Sequence, residues 1–211
     1  MHPIVLFDRI MIEAPRKRIY RRLGYRPGVT SLPAGQEAEV ERYIEDALTL
    51  INLRGVGRRL ALRGLQDARV MLEEQAGEDV FHSRQLAAFL QECSEVVLMG
   101  ATAGGEVMAA IAADVTGSQV TRGVVIDAVA SEMVDASLDW IMTYFGRELR
   151  RENKALKPRR YSAGYGDFRL ENQATMFRLL DLSRLGVQIT ASFLLIPEKS
   201  VTAIAGVISS K

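Results

Sequence analysis

A single apolar stripe runs along the segment from about Val120 to Arg150. Ile126, Val129, Ala130, Met133, Ser137, Ile141 and Tyr144 recur there at three- and four-residue steps, which is the spacing of one helix face. A long helix with such a face has to be covered by other elements. Asp135 and Asp139 fall away from the stripe, one turn apart, with Glu132 beside them. Two carboxylates so placed can hold a cation or an amine, and they are equally what the solvated face of a soluble helix carries.

Around this helix the patterns alternate in type. Residues 1–8 read as a strand, and Pro33 opens a helical run through Val40, Tyr43, Ile44, Ala47, Leu48 and Ile51 that Gly55 and Gly57 are expected to stop. Arg59–Arg63 and Arg69–Glu73 read as short strands about a turn at Gly64. Ser83–Cys93 is helical, with His82 just ahead of its start. A strand from Glu95 then enters the glycine-rich turn of Gly100, Gly104 and Gly105, followed by a helix from about Glu106 to Asp114. Backbone N–H groups in such a turn can meet an anion. The glycines do not fall at G-x-G-x-x-G spacing and no Lys-Ser/Thr pair follows, so close packing of strand and helix is the preferred reading. After Arg150, a basic run to Arg160 reads as a polar linker closing at Lys157-Pro158. Leu170–Leu182 reads as a helix, and Val187–Ile196 and Ser200–Ile208 as two strands joined by Pro197-Glu198-Lys199.

Charge and residue usage exclude several functions. The 27 basic and 26 acidic side chains nearly cancel, which gives no broad field for nucleic acid or an anionic membrane. Local excess lies in Arg16, Lys17, Arg18, Arg21, Arg22 and Arg26, before the turn Gly24-Tyr25-Arg26-Pro27-Gly28. It reads as a solvated face or as a contact for an acidic partner. With Cys93 the one cysteine and His2 and His82 the two histidines, no internal disulfide, Cys/His metal site or histidine-based nucleophilic set is expected. No apolar run approaches a bilayer span and no signal peptide is recognisable, so a cytoplasmic protein is expected.

Arg160-Tyr161-Ser162-Ala163-Gly164-Tyr165-Gly166-Asp167 is the segment that carries chemistry. Its glycines permit close backbone approach, Arg offers a planar fork for a carboxylate, and Tyr offers a ring and a hydroxyl. A small zwitterion bearing an aromatic base suits such a loop. The motif Arg-x-x-x-Gly-Tyr is followed by Leu179-Leu180-Asp181, by Gly186-Val187-x-Ile189-Thr190-x-Ser192, and by Pro197 with Ser200-Val201-Thr202. In this order and spacing, from about Ile126 to Gly206, the chain resembles the S-adenosylmethionine-binding activation (reactivation) domain of cobalamin-dependent methionine synthase.

The resemblance implies one domain over residues 1–211, its motif-bearing half at 120–211 and the looser half at 1–119. The fold it implies is α+β, long helices packed on a twisted antiparallel sheet. It implies S-adenosylmethionine as ligand, with Arg160 on the amino-acid carboxylate, Ala163, Gly164 and Tyr165 in the binding loop, and Asp135 at the amino group. It also implies an accessory role in methionine biosynthesis: reductive remethylation of cob(II)alamin, with flavodoxin or ferredoxin as electron donor. Cobalamin would come from a partner, a separate methionine synthase or another corrinoid protein, because the Asp-x-His-x-x-Gly cobalt-ligating motif is absent here. No catalytic acid–base pair and no metal ligand is expected of this chain.

Two departures from the family pattern bear on ligand affinity. Ala191 stands where a glutamate is usual, and the chain ends at Lys211, before the family's later segment with its tyrosine. They motivate an alternative, a non-catalytic docking module for a corrinoid protein that has lost S-adenosylmethionine binding. An ordinary Rossmann-type methyltransferase lacks its glycine-rich loop here. A nucleotide-binding protein would use the turn from Gly100 to Gly105.

Overall fold

β5 (Glu95–Thr102) explains the layers best, because it is apolar on both faces. Val97, Met99 and Ala101 belong to one core cluster and Val96 and Leu98 to another. With side chains alternating along a strand, two apolar faces require two covering layers. The computed structural model describes residues 2–26, 28–31, 33–74 and 77–210. Pro27, within the turn expected from sequence, lies outside them, as do the terminal residues Met1 and Lys211.

The chain runs β1 (Val5–Phe7), α1 (Arg16–Arg22), α2 (Ala34–Leu50), β2 (Arg54–Gln66), β3 (Arg69–Glu74), β4 (Gly77–His82) and α3 (Arg84–Phe89) to β5. It continues with α4 (Glu106–Thr116), α5 (Val120–Arg150), β6 (Lys154–Leu156), α6 (Asn172–Leu180), a 3-10 turn (Leu182–Leu185), β7 (Gln188–Ile189), β8 (Leu195–Ile196) and β9 (Ser200–Ser209). Seven strands form a sheet in the order β4-β3-β2-β5-β9-β6, with β1 on β2, and every pairing is antiparallel. α5, α2 and α4 cover one face, while α3, α6 and the 3-10 turn cover the other. This is the α+β arrangement expected from sequence. Among the described residues no helix is long and apolar enough to cross a membrane.

α5 has the bounds that its stripe predicts, and Ile126, Val129, Ala130, Met133, Ser137 and Ile141 are buried against the sheet. Several other expectations need correction. Gly55 and Gly57 do not stop α2, which ends at Leu50; they lie inside β2. A Cβ on Gly57 would stand 2.2 Å from Phe145 Cε2, and one on Gly55 2.9 Å from Ile141 Cδ1. The two glycines therefore form the bed on which α5 rests. β2 passes through Gly64, where its register on β3 shifts, and turns at Asp67, whose φ is 53°. The linker after α5 contains an edge strand, β6, paired with β9.

The expected strand from Val187 to Ile196 is a small hairpin, β7 on β8. Thr190 decides this: its N–H donates to Leu194 O at 2.8 Å, its O accepts from Phe193 N at 2.9 Å and its Oγ1 from Leu194 N at 3.0 Å. These local bonds close a turn that outcompetes continued pairing.

Candidate functional site

The Arg160–Asp167 loop is built outward from the sheet edge. Tyr161 exchanges two 2.8 Å backbone hydrogen bonds with Ile204 of β9, so the chain leaves β6 still paired to the sheet. It then turns back at Gly164, with φ 93°, and Gly166, with φ 58°. Gly164 N–H donates to Phe168 O at 2.7 Å and closes the loop. Three anchors hold it. The Phe168 ring is fully buried, edge-on to Phe81 at 5.3 Å. Asp167 accepts the Arg84 N–H at 2.8 Å, at the start of α3, and also pairs with the Ser83 hydroxyl. The Tyr161 hydroxyl donates to Gln85 Oε1 at 2.6 Å. Tyr165 is left 71% exposed at the rim.

Beneath this loop is a cleft of about 470 Å³. Ser162, Ala163 and Tyr165 form one wall, and Leu170, just before α6, and Gln173, in its first turn, add to it. The β7–β8 hairpin brings Phe193, Leu194 and Leu195, the segment after it Glu198, β9 brings Ser200, Val201 and Thr202, and Asp135 arrives from α5. The volume and the mixture of apolar walls with a few polar groups are those of a small-molecule site. Lys199 ties the segment after β8 to α5, bonding Asp127 at 2.7 Å and Ser131 at 2.9 Å.

Of the five residues expected at the site, Asp135, Ala163 and Tyr165 line the cleft. Gly164 shapes the loop without lining it. Arg160 stands behind Asp135, its Nη2 bonded to Asp135 Oδ1 at 2.7 Å and its Nη1 to Asp139 and, at 3.8 Å, to Met142 Sδ. The cation that the Asp135 and Asp139 pair can hold is thus this guanidinium from the chain itself. Burial alone would lower the Arg160 pKa, but the two aspartates outweigh it and hold the charge firmly on.

The basic stretch finds its acidic partner within the chain. Arg18 bonds Glu132 at 2.9 Å, Asp135 at 3.1 Å and Asp139 at 2.9 Å, and Arg22 bonds Glu132 at 2.6 Å. Arg16 pairs with Glu41 and Glu45 of α2. Behind Asp135, Arg18, Arg22 and Arg160 thus face Glu132, Asp135 and Asp139, a balanced cluster in which every carboxylate is already held by a guanidinium. Among the described residues no group of three or more His, Cys, Asp or Glu is placed to hold a metal ion.

The other candidates from sequence serve the fold. Gly100 lies within β5, and a Cβ there would stand 2.7 Å from Leu182 Cδ2, so this glycine allows close packing. None of residues 100–105 lines the cleft. His82 ends β4 beside Ser83, whose Oγ accepts from Leu86 N at 2.9 Å to cap α3. Gln173 was missed. Its one sequence signal is a polar residue on the stripe Gln173, Met176, Leu180, otherwise the buried face of α6.

No protein-family model matches the sequence. No curated protein matches it either. In structure the chain matches the crystal structure of the MetH reactivation domain bound to AdoHcy, with a TM-score of 0.67 and 17% identity, over 98% of this chain and 78% of that one. The fold is that of a methionine synthase reactivation domain.

Proposed function

We propose that this chain binds S-adenosylmethionine in the cleft and supports reductive remethylation of cob(II)alamin on a separate cobalamin-dependent methionine synthase or related corrinoid methyltransferase. The observation that carries the proposal is the Arg160–Asp135 pair, 2.7 Å apart, in which Asp135 lines the cleft and Arg160 stands behind it. A methionyl group ends in a carboxylate and an ammonium. A zwitterion that inserts between Arg160 and Asp135 gives each of them a new partner of opposite charge and leaves neither bare. Ala163 and Tyr165 then border the remainder of the ligand, where backbone groups and a ring suit a purine. The structural neighbour holds AdoHcy, the sulfide that remains when S-adenosylmethionine gives up its methyl group, and this supports a ligand of that class.

The role is positioning. An electron from flavodoxin or ferredoxin and the methyl group of the sulfonium together convert cob(II)alamin to methylcobalamin and leave S-adenosylhomocysteine. The corrinoid belongs to the partner, since this chain lacks the cobalt-ligating motif. What the chain supplies is a fixed seat for the methyl donor: Arg160 and Asp135 hold its charged end, and the anchored loop closes over the rest.

Calorimetric titration with S-adenosylmethionine tests this. The wild-type protein is expected to bind, and Arg160→Ala to bind at least about tenfold more weakly, the loss of a charge-assisted pair. Absence of wild-type binding at millimolar ligand sinks the proposal. It would favour a second reading, a docking module for a corrinoid protein, which the engagement of Arg160 by both Asp135 and Asp139 supports.

A further inference from the structure

We infer that Gln173 is a specificity-determining residue of the cleft, donating its side-chain amide to an acceptor on the neutral nucleoside half of the ligand; this rests on the reading of the cleft as an S-adenosylmethionine site. Gln173 is 5% exposed and forms part of the cleft wall. Its Oε1 accepts from Thr202 Oγ1 at 3.0 Å, and Thr202 is itself 2% exposed. Its Nε2 is buried and has no hydrogen-bond partner. With the Thr202 hydroxyl donating to Oε1, the N–H side of the amide is the half left over. A buried amide N–H without an acceptor is destabilising, and native proteins pair nearly all such groups with protein, water or ligand.

The surroundings identify the missing acceptor. The cleft wall carries two acids, Asp135 and Glu198, which serve the ligand's ammonium end, Asp135 being paired with Arg160; the Ser200 hydroxyl is spent on Thr102 Oγ1 at 2.9 Å. The charged end of the ligand therefore has its partners, and a neutral carboxamide is not needed there. An N–H donor also does not suit the cationic sulfonium. Ring nitrogens of a purine and the oxygens of a ribose are neutral acceptors and match it. Thr202 fixes the amide by its other atom, so the donor is oriented before the ligand arrives.

The test is calorimetry with S-adenosylmethionine and with adenosine alone, on the wild-type protein and on Gln173→Leu, Gln173→Met and Arg160→Ala, beside thermal unfolding of each without ligand. Both Gln173 variants are expected to weaken S-adenosylmethionine and adenosine by about tenfold. Arg160→Ala should weaken S-adenosylmethionine while leaving adenosine unchanged. Thermal unfolding of the Gln173 variants should stay close to wild type, since removing the orphaned donor offsets the acceptor that the buried Thr202 hydroxyl loses; a residue with a merely structural role would lower it well below wild type. Gln173→Met keeps the length of the side chain and guards against misfolding of the leucine variant. Wild-type affinity in both Gln173 variants overturns the inference and leaves the ligand reading intact. If the wild-type protein binds no S-adenosylmethionine, the ligand reading fails and the inference falls with it.

Discussion

Asp139 competes with the proposed ligand for Arg160. It lies one turn beyond Asp135 on α5 and takes the second arm of the guanidinium, while its other oxygen accepts from Arg18 at 2.9 Å. The Asp139 side chain is 48% exposed, so its hold on Arg160 is worth only about 0–1 kcal/mol. Asp139→Asn is therefore expected to tighten S-adenosylmethionine binding about two- to fivefold, read by titration, with little change in thermal stability. Weaker binding in that variant would mean that Asp139 itself holds the ligand's ammonium. Gly57 offers a contrast at the same scale. Overpacking Phe145 with a Cβ should lower stability in urea by about 1–3 kcal/mol in Gly57→Ala. Gly105→Ala, where a Cβ meets nothing within 4 Å, should stay within about 0.5 kcal/mol of wild type.

Among the elements, β6 is held to the sheet by charge as well as by its ladder. Arg59 of β2, 5% exposed, bonds Glu95 of β5 at 2.7 Å and Glu152 at 2.6 Å, and Lys154 of β6 reaches Glu152 at 3.1 Å and also pairs with Glu95. A buried guanidinium has to be met in this way. Hydrogen bonds from Arg59 and then Lys154 hold the Glu152 carboxyl down to about 2. At Glu95, burial by itself would raise the pKa, and the bonds from Lys154 and Arg59 outweigh it. Groups with depressed folded-state pKa values stabilise the fold fully above the ordinary glutamate value of about 4.3, and that contribution disappears as pH falls toward their folded values. Unfolding midpoints in urea should therefore drop steadily from about pH 5 to pH 2. In Glu152→Gln the drop should be shallower, and an unchanged slope there would show that this cluster does not set the acid limit. The same edge shows where sequence reasoning stops. A three-residue strand inside a run of Arg, Lys and Asn has no periodicity to read, and its strand character comes from β9 beside it. α5 was legible to its ends because one long stripe repeats. Residues 187–196 alternate as a strand would, yet Thr190 closes a turn there whose bonds periodicity does not encode. Of the residues that line the cleft, Ala163 and Tyr165 were marked by their loop motif and Asp135 by its helix face, while Arg160 from the same motif stands behind Asp135. Asp139's hold on Arg160 and the orphaned amide of Gln173 appear only when α5, α6 and β9 are brought together.

At the scale of the whole molecule, the two halves of the sequence share one sheet. β5, from the first half, is paired on one side with β2 and on the other with β9, from the second half. α5 contributes to the core that β1, α2 and β5 also line. Cutting near residue 119 would leave β5 without β9 and α5 without β2, each exposing an apolar face. Both halves are therefore expected to unfold together, as one domain. Trp140 makes this measurable: it is the one tryptophan, it sits on α5, and its ring meets Phe7 of β1 edge-on at 5.1 Å. Its fluorescence reports the contact between the halves, and far-ultraviolet circular dichroism reports the helices throughout. In urea the two signals should trace a single coincident transition. Tryptophan fluorescence that changes at lower urea than the dichroism would show that β1 and α5 part while one half remains folded, and the single-domain expectation would fall.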